Sequence, residues 1–281
     1  MKPWLSILGL WFGLQASAHA EEHVWQTVNV AGNTIAYSCQ GKGERTVLLL
    51  AGMGLDVHAS FKNIYHRFEH ANYQICMYDR AGMGQSSFAK PQVRSLQQLS
   101  DEMAAVVKAN GWQNLVLVPH SFGGLLARQY VSDHPEQVRG VLFADTVHES
   151  WYALMQQAMT KPGWQIMQKI IGWERDSHSH EDFVEAVHAA KSFKFPANLP
   201  ITVLSRGLPM TNLGPAGMSQ RDMDAFNTSW TLAQFQLSLL SSDSRHQKLF
   251  YSNHFIDEQD PATVLEELSL LLARIEQASS R

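Results

Sequence analysis

Five short apolar runs limit what this chain can fold into more than any other feature. They lie at residues 46–50, 73–78, 115–118, 138–144 and 201–204. Each is rich in Val, Leu or Ile and bounded by turn-forming residues, as strands buried on both faces of a parallel sheet are. Between the first runs, apolar residues recur at helical spacing: Phe61, Ile64, Tyr65 and Phe68, then Leu96, Leu99, Met103, Val106 and Val107. Ser95 and Gly111 bracket the second set as N-cap and C-cap. Strands alternating with helices imply an α/β protein with a doubly wound, mostly parallel sheet and helices on both faces. Runs at 24–30 and 34–39, split by Gly32-Asn33, predict a hairpin at one edge. A last strand over 248–251 brings the sheet to eight strands. A final helix opens at Asp260-Pro261 and carries Leu265, Leu268, Leu271, Leu272 and Ile275 on one face.

One stretch breaks the alternation. Residues 148–199 hold no strand pattern but contain Trp151, Met155, Met159, Trp164, Met167, Ile170, Ile171, Trp173 and Phe183. Such spacing often means additional core helix. Its position between two sheet strands, where a crossover is normally short, predicts a helical cap or lid instead. The core then comprises residues 21–147 and 200–281.

The first twenty residues read as a secretory signal peptide: Lys2, an apolar run from Leu5 to Leu14, then Ala18-His19-Ala20. The run is too short to span a bilayer, which takes about 20 residues. The mature chain is therefore expected to be periplasmic or secreted, with no stable membrane insertion. Net charge is -4 with no long basic run, which argues against a nucleic-acid partner. Cys39 and Cys76, the only two cysteines, are open to two readings. They form one disulfide in an oxidising compartment, or they remain two buried thiols.

The segment from Leu115 to Gly124 runs strand, tight turn, helix and holds His120-Ser121-Phe122-Gly123-Gly124. A serine on such a turn is lifted out of the sheet where its hydroxyl can react. An isolated serine in a glycine-rich turn is more often an N-cap, but the flanking strand and helix reverse that preference. Ala51-Gly52-Met53-Gly54 follows another apolar strand. There the N–H of Met53, with that of Phe122, would form an oxyanion hole. His254 follows the last strand, at the sheet edge where ligands bind, and is the expected base.

These segments, with Asp79-Arg80-Ala81-Gly82-Met83-Gly84-Gln85-Ser86 and Ser252-Asn253-His254-Phe255, resemble the α/β-hydrolase fold family over nearly all of the mature chain. Departures are Pro119 in place of the usual Gly, Ala51 where His is common, and Asn253 where Gly is common. The resemblance implies Ser121 as nucleophile and His254 as base, and the segment starting at Asp79 as a structural loop. For the acid it offers Asp145 first, with Glu149 and Asp222 as alternatives. Asp145 reads equally as an N-cap for the cap helices. The family's strand order puts Cys39 beside Cys76, which favours the disulfide. The group Asp176, His178, His180, Glu181 and Asp182 suits zinc in composition only, and a solvated loop without metal is expected.

The implied activity is hydrolysis of a carboxylic ester with an apolar acyl or alkyl group, without a cofactor. Lactonase, aminopeptidase and acyltransferase chemistry remain open on the same fold. A binding protein that has lost catalysis is a further alternative. The partner expected is a small ester-like molecule. The sequence does not give the oligomeric state.

Overall fold

The computed structural model describes residues 24–279 apart from residue 212. The segment read as a signal peptide lies outside the described residues. Eight strands form one sheet: β1 (Gln26–Val30), β2 (Asn33–Gln40), β3 (Arg45–Leu50), β4 (Tyr73–Tyr78), β5 (Leu115–Pro119), β6 (Val138–Ala144), β7 (Ile201–Arg206) and β8 (Ser244–Leu249). Their order across the sheet is β1-β2-β4-β3-β5-β6-β7-β8. The hairpin β1–β2 and the β2–β4 pair are antiparallel, and every other pair is parallel.

Alternation along the central strands divides the core into two layers. Val47, Leu49, Ile75, Val116 and Leu142 pack under α1 (Val57–Arg67), the short α8 (Ile256–Gln259) and α9 (Pro261–Ser279). Leu48, Cys76, Leu117, Val141 and Val203 pack on the other face. That face is covered by α2 (Leu96–Asn110), α3 (Gly123–Asp133) and α7 (Gln220–Ser238). Burying one such leucine is worth about 1.5–3 kcal/mol, so the strands that read most clearly in sequence also anchor the core. Ser95 and Gly111 cap α2 as expected, and Gln98 completes a capping box.

Between β6 and β7 the chain forms α4 (Ser150–Ala158), α5 (Lys161–Trp173), a π-helical turn (Glu174–His178) and α6 (Phe183–Ala189). Among the described residues no helix is long and apolar enough to cross a membrane. Cys39 and Cys76 are cross-strand partners on β2 and β4 and are joined by a disulfide.

Two expectations need correction. The last strand runs Ser244–Leu249, not 248–251. It is an edge strand with polar, exposed residues, and the apolar Phe250 and Tyr251 that marked it in sequence lie beyond it in solvent. The segment 176–182 is also not a solvated loop. Ser179 and Glu181 within it are fully buried.

Candidate active site

The C-terminal ends of β3, β5, β6 and β8 lead to Ala51, His120, Asp145 and His254. The serine turn depends on close packing. A Cβ at Gly123 would lie 2.6 Å from the Leu50 carbonyl oxygen and 2.8 Å from that of Ala51, so only glycine allows α3 to start against β3. Ser121 itself has φ +52°, a left-handed conformation that costs a non-glycine residue strain of order 1–3 kcal/mol. Pro119 falls between the Leu117↔Val141 pair and the isolated His120↔Ala144 bridge, so it interrupts the pairing with β6, while β3 pairs as far as Leu50↔Pro119.

Gly52 lies against this turn: a Cβ there would be 3.3 Å from Ser121 Cβ and 3.2 Å from His120 Nδ1. Met53 is half-buried next to it, and Phe122 is the N-cap of α3. The two residues read as oxyanion donors thus flank Ser121 on separate loops.

His254 Nδ1 is 2.6 Å from Asp145 Oδ2. Asp145 is fully buried and has φ +46°. Its Oδ1 accepts from the Arg206 backbone N–H at 3.0 Å and from Trp230 Nε1 at 2.9 Å. Arg206 Nη1 is 3.4 Å from Oδ2. Burial pushes the carboxyl up, but the bond to His254 and the charges of His254 and Arg206 outweigh it and hold Asp145 below its ordinary value. Its carboxylate is consumed by these partners and does not cap a helix.

The other two carboxylates are elsewhere. Glu149 pairs with Arg128 at 2.5 Å, with His148 3.5 Å away. Asp222 accepts from the Thr160 N–H at 2.7 Å and from Ser219 Oγ at 2.5 Å, tying the start of α5 to the start of α7.

Sequence reasoning passed over His120. Its Nε2 is 3.0 Å from the His254 carbonyl oxygen, a pure acceptor, so Nε2 carries the proton. Its Nδ1 therefore accepts from Ser60 Oγ at 3.2 Å, and that oxygen in turn accepts from the Gly52 N–H at 3.2 Å. The rings of His120 and His254 are 4.6 Å apart. Burial and the neighbouring His254 push His120 down to about 3, so it stays neutral and keeps this tautomer. Its adjacency to Ser121 was the available signal. Arg206 and Trp230 carried none, because their partner is set by long-range packing.

A family model for the α/β hydrolase fold matches residues 45–171. The chain has the α/β-hydrolase fold, and the family match covers a little under half of its length. The haloalkane dehalogenase DatA of Agrobacterium tumefaciens superposes with a TM-score of 0.62 at 15% identity, over 91% of this chain and 98% of that one. The uncharacterized protein YbdG of Bacillus subtilis is 26% identical over 119 residues, 42% of this chain and 36% of its own length. A proline iminopeptidase of Lactobacillus delbrueckii subsp. bulgaricus is 32% identical over 124 residues, 41% of this chain and 42% of its own. The chain therefore spans less than half the length of these two relatives.

Proposed function

We propose that this α/β-hydrolase fold protein is a serine hydrolase that cleaves carboxylic esters through an acyl-enzyme on Ser121. The observation that carries the reading is the 2.6 Å contact between His254 Nδ1 and the buried Asp145 carboxylate, at the sheet edge that also holds Ser121. An ionised Asp145 accepts from Nδ1–H, which leaves Nε2 as the nitrogen to take a proton. In this reading His254 Nε2 removes the Ser121 hydroxyl proton as Oγ attacks the ester carbonyl. The oxyanion is held by the N–H groups of Met53 and Phe122. The imidazolium, stabilised by Asp145, then protonates the leaving alkoxide. Water enters, His254 takes its proton, and the acyl group is released as a carboxylic acid.

Residues 148–199 act as a cap in this reading. Trp151, Trp164, Met155 and Met167 favour an apolar acyl or alkyl group. Export to an oxidising compartment is the localisation proposed, and the Cys39–Cys76 disulfide supports it.

A panel of p-nitrophenyl esters, lactones and aminoacyl amides of graded chain length tests the activity, each against wild type and Ser121→Ala. Ester turnover that is lost in the variant is expected. Turnover confined to aminoacyl amides or lactones would replace the ester assignment. Equal turnover in both proteins would remove Ser121 from the reaction.

A further inference from the structure

Arg80 follows β4 and is buried. Its Nη1 donates to the Ala51 carbonyl at 2.8 Å, and its Nη2 donates to the Gly52 carbonyl at 2.7 Å. On the other side, Nε donates to Glu181 Oε1 at 2.5 Å and Nη2 to Oε2 at 3.1 Å. Glu181 is fully buried and belongs to the segment inserted between β6 and β7. A second arginine, Arg94, lies 3.9 Å from Glu181 and 3.4 Å from Glu102. The backbone fixes Glu181 as well: the Arg94 N–H donates to the His180 carbonyl at 2.8 Å, and the Asp182 N–H donates to the Arg94 carbonyl at 3.0 Å. Buried charges of this kind add little net stability over apolar replacements, but they fix geometry closely.

The geometry fixed is that of one peptide group. Gly52 C=O and Met53 N–H belong to the same planar trans unit and point in opposite directions. A guanidinium seated on the Gly52 oxygen therefore sets the direction of the Met53 N–H. It also polarises the unit and makes that N–H a stronger donor. The inserted segment touches the same loop a second time, where His178 Nε2 is 3.1 Å from the Gly54 carbonyl oxygen. A Cβ at Gly54 would come within 2.6 Å of His178, so the two segments are in close contact.

We propose that Arg80 and Glu181 are a positioning pair for the oxyanion hole, through which the inserted segment holds the Met53 N–H aimed at the developing oxyanion. This rests on the serine-hydrolase reading above. Neither side chain touches the reacting atoms. Displacing residues 174–182 would release Arg80 from the Gly52 carbonyl while leaving Ser121, His254 and Asp145 intact. The cap thus controls transition-state stabilisation as well as access.

The test compares the full-length wild-type chain with Glu181→Gln and Arg80→Lys. Glutamine removes the charge. Lysine keeps it but cannot hold two carbonyls and a carboxylate at once. The second variant keeps the test open if a buried Arg80 without its carboxylate prevents the first from folding, which near-UV circular dichroism reports. Hydrolysis of p-nitrophenyl butyrate gives kcat and KM. A trifluoromethyl ketone, which forms a tetrahedral adduct on the serine, gives Ki. Losing the alignment of one oxyanion donor should lower kcat about 10- to 100-fold. KM should stay within about twofold and Ki should rise in step with the loss of kcat, because the oxyanion forms only in the transition state. Active wild type with unchanged kcat and Ki in both variants overturns the positioning pair alone, as does a rise in KM with kcat intact. Wild type that turns over no ester and takes no fluorophosphonate on Ser121 overturns the serine-hydrolase reading, and the pair with it.

Discussion

His254 Nδ1 lies 2.6 Å from Oδ2 of Asp145, across 109 residues of chain. Asp145 reaches that position at the end of β6 in a left-handed conformation, held by the Arg206 N–H and the Trp230 indole. The contact orders the candidate acids by geometry. Asp145→Asn should lower kcat about 10⁴-fold, because the amide cannot hold the imidazole in the required tautomer. The fold should persist, as seen by circular dichroism. Glu149→Gln should leave kcat within a few-fold while lowering the melting temperature, since it strips Arg128 of its partner. The reverse ranking would move the acid to Glu149.

His120 should give the protein a specific sensitivity to acid. Its folded pKa is pushed down to about 3 by burial and by His254, against about 6.5 in an unfolded chain. Between those values the unfolded state binds a proton that the native state does not, so stability falls as pH drops. The slope is about 1.4 kcal/mol per pH unit well below 6.5. In urea titrations, His120→Asn should reduce the stability lost between pH 7 and pH 5 by about 2 kcal/mol. An unchanged difference would mean that His120 titrates normally.

Gly123→Ala should be costly out of proportion to one methyl group. The new Cβ meets the backbone oxygens of Leu50 and Ala51, and neither can rotate away. Destabilisation of about 1–3 kcal/mol is expected. Activity should fall further than stability does, because the displaced residues include the loop carrying Met53. A melting curve and kcat on the same preparation would separate the two losses. A variant as active as wild type would show that the turn has room.

The Cys39–Cys76 bond closes a loop of 37 residues. Chain-entropy arguments give such a closure about 3–4 kcal/mol. Replacing both cysteines with Ala should remove about that much in guanidinium titrations. Kinetics should change little, because the bond joins β2 to β4, and β4 is two strands across the sheet from β5, which leads to Ser121. No loss of stability would contradict a formed disulfide.

Sequence revealed the parallel core strands because neighbours such as Val47 and Leu48, Val116 and Leu117, and Val141 and Leu142 are buried on opposite faces, which leaves a continuous apolar run. It misplaced β8 because an edge strand, Ser244–Leu249, needs apolar side chains on one face only. It missed α7, whose buried face mixes Phe226 and Trp230 with Asp222, Ser229 and Gln234. Ser121 and His254 stood out through local context at strand ends. Spacing alone did not choose between Asp145 and Glu149, only four residues apart, because that choice depends on Arg206, Trp230 and Arg128 arriving from elsewhere. The burial of Glu181 was equally hidden, since its partner Arg80 is 101 residues away in sequence.

The central claim is that Ser121 is an activated nucleophile, and fluorophosphonate labelling with peptide mapping tests it most directly. Wild-type protein should carry the adduct on Ser121. Ser121→Ala should carry none, and His254→Ala should label at least 100-fold more slowly. A folded wild-type protein that takes no label, or takes it on another residue, would contradict the account.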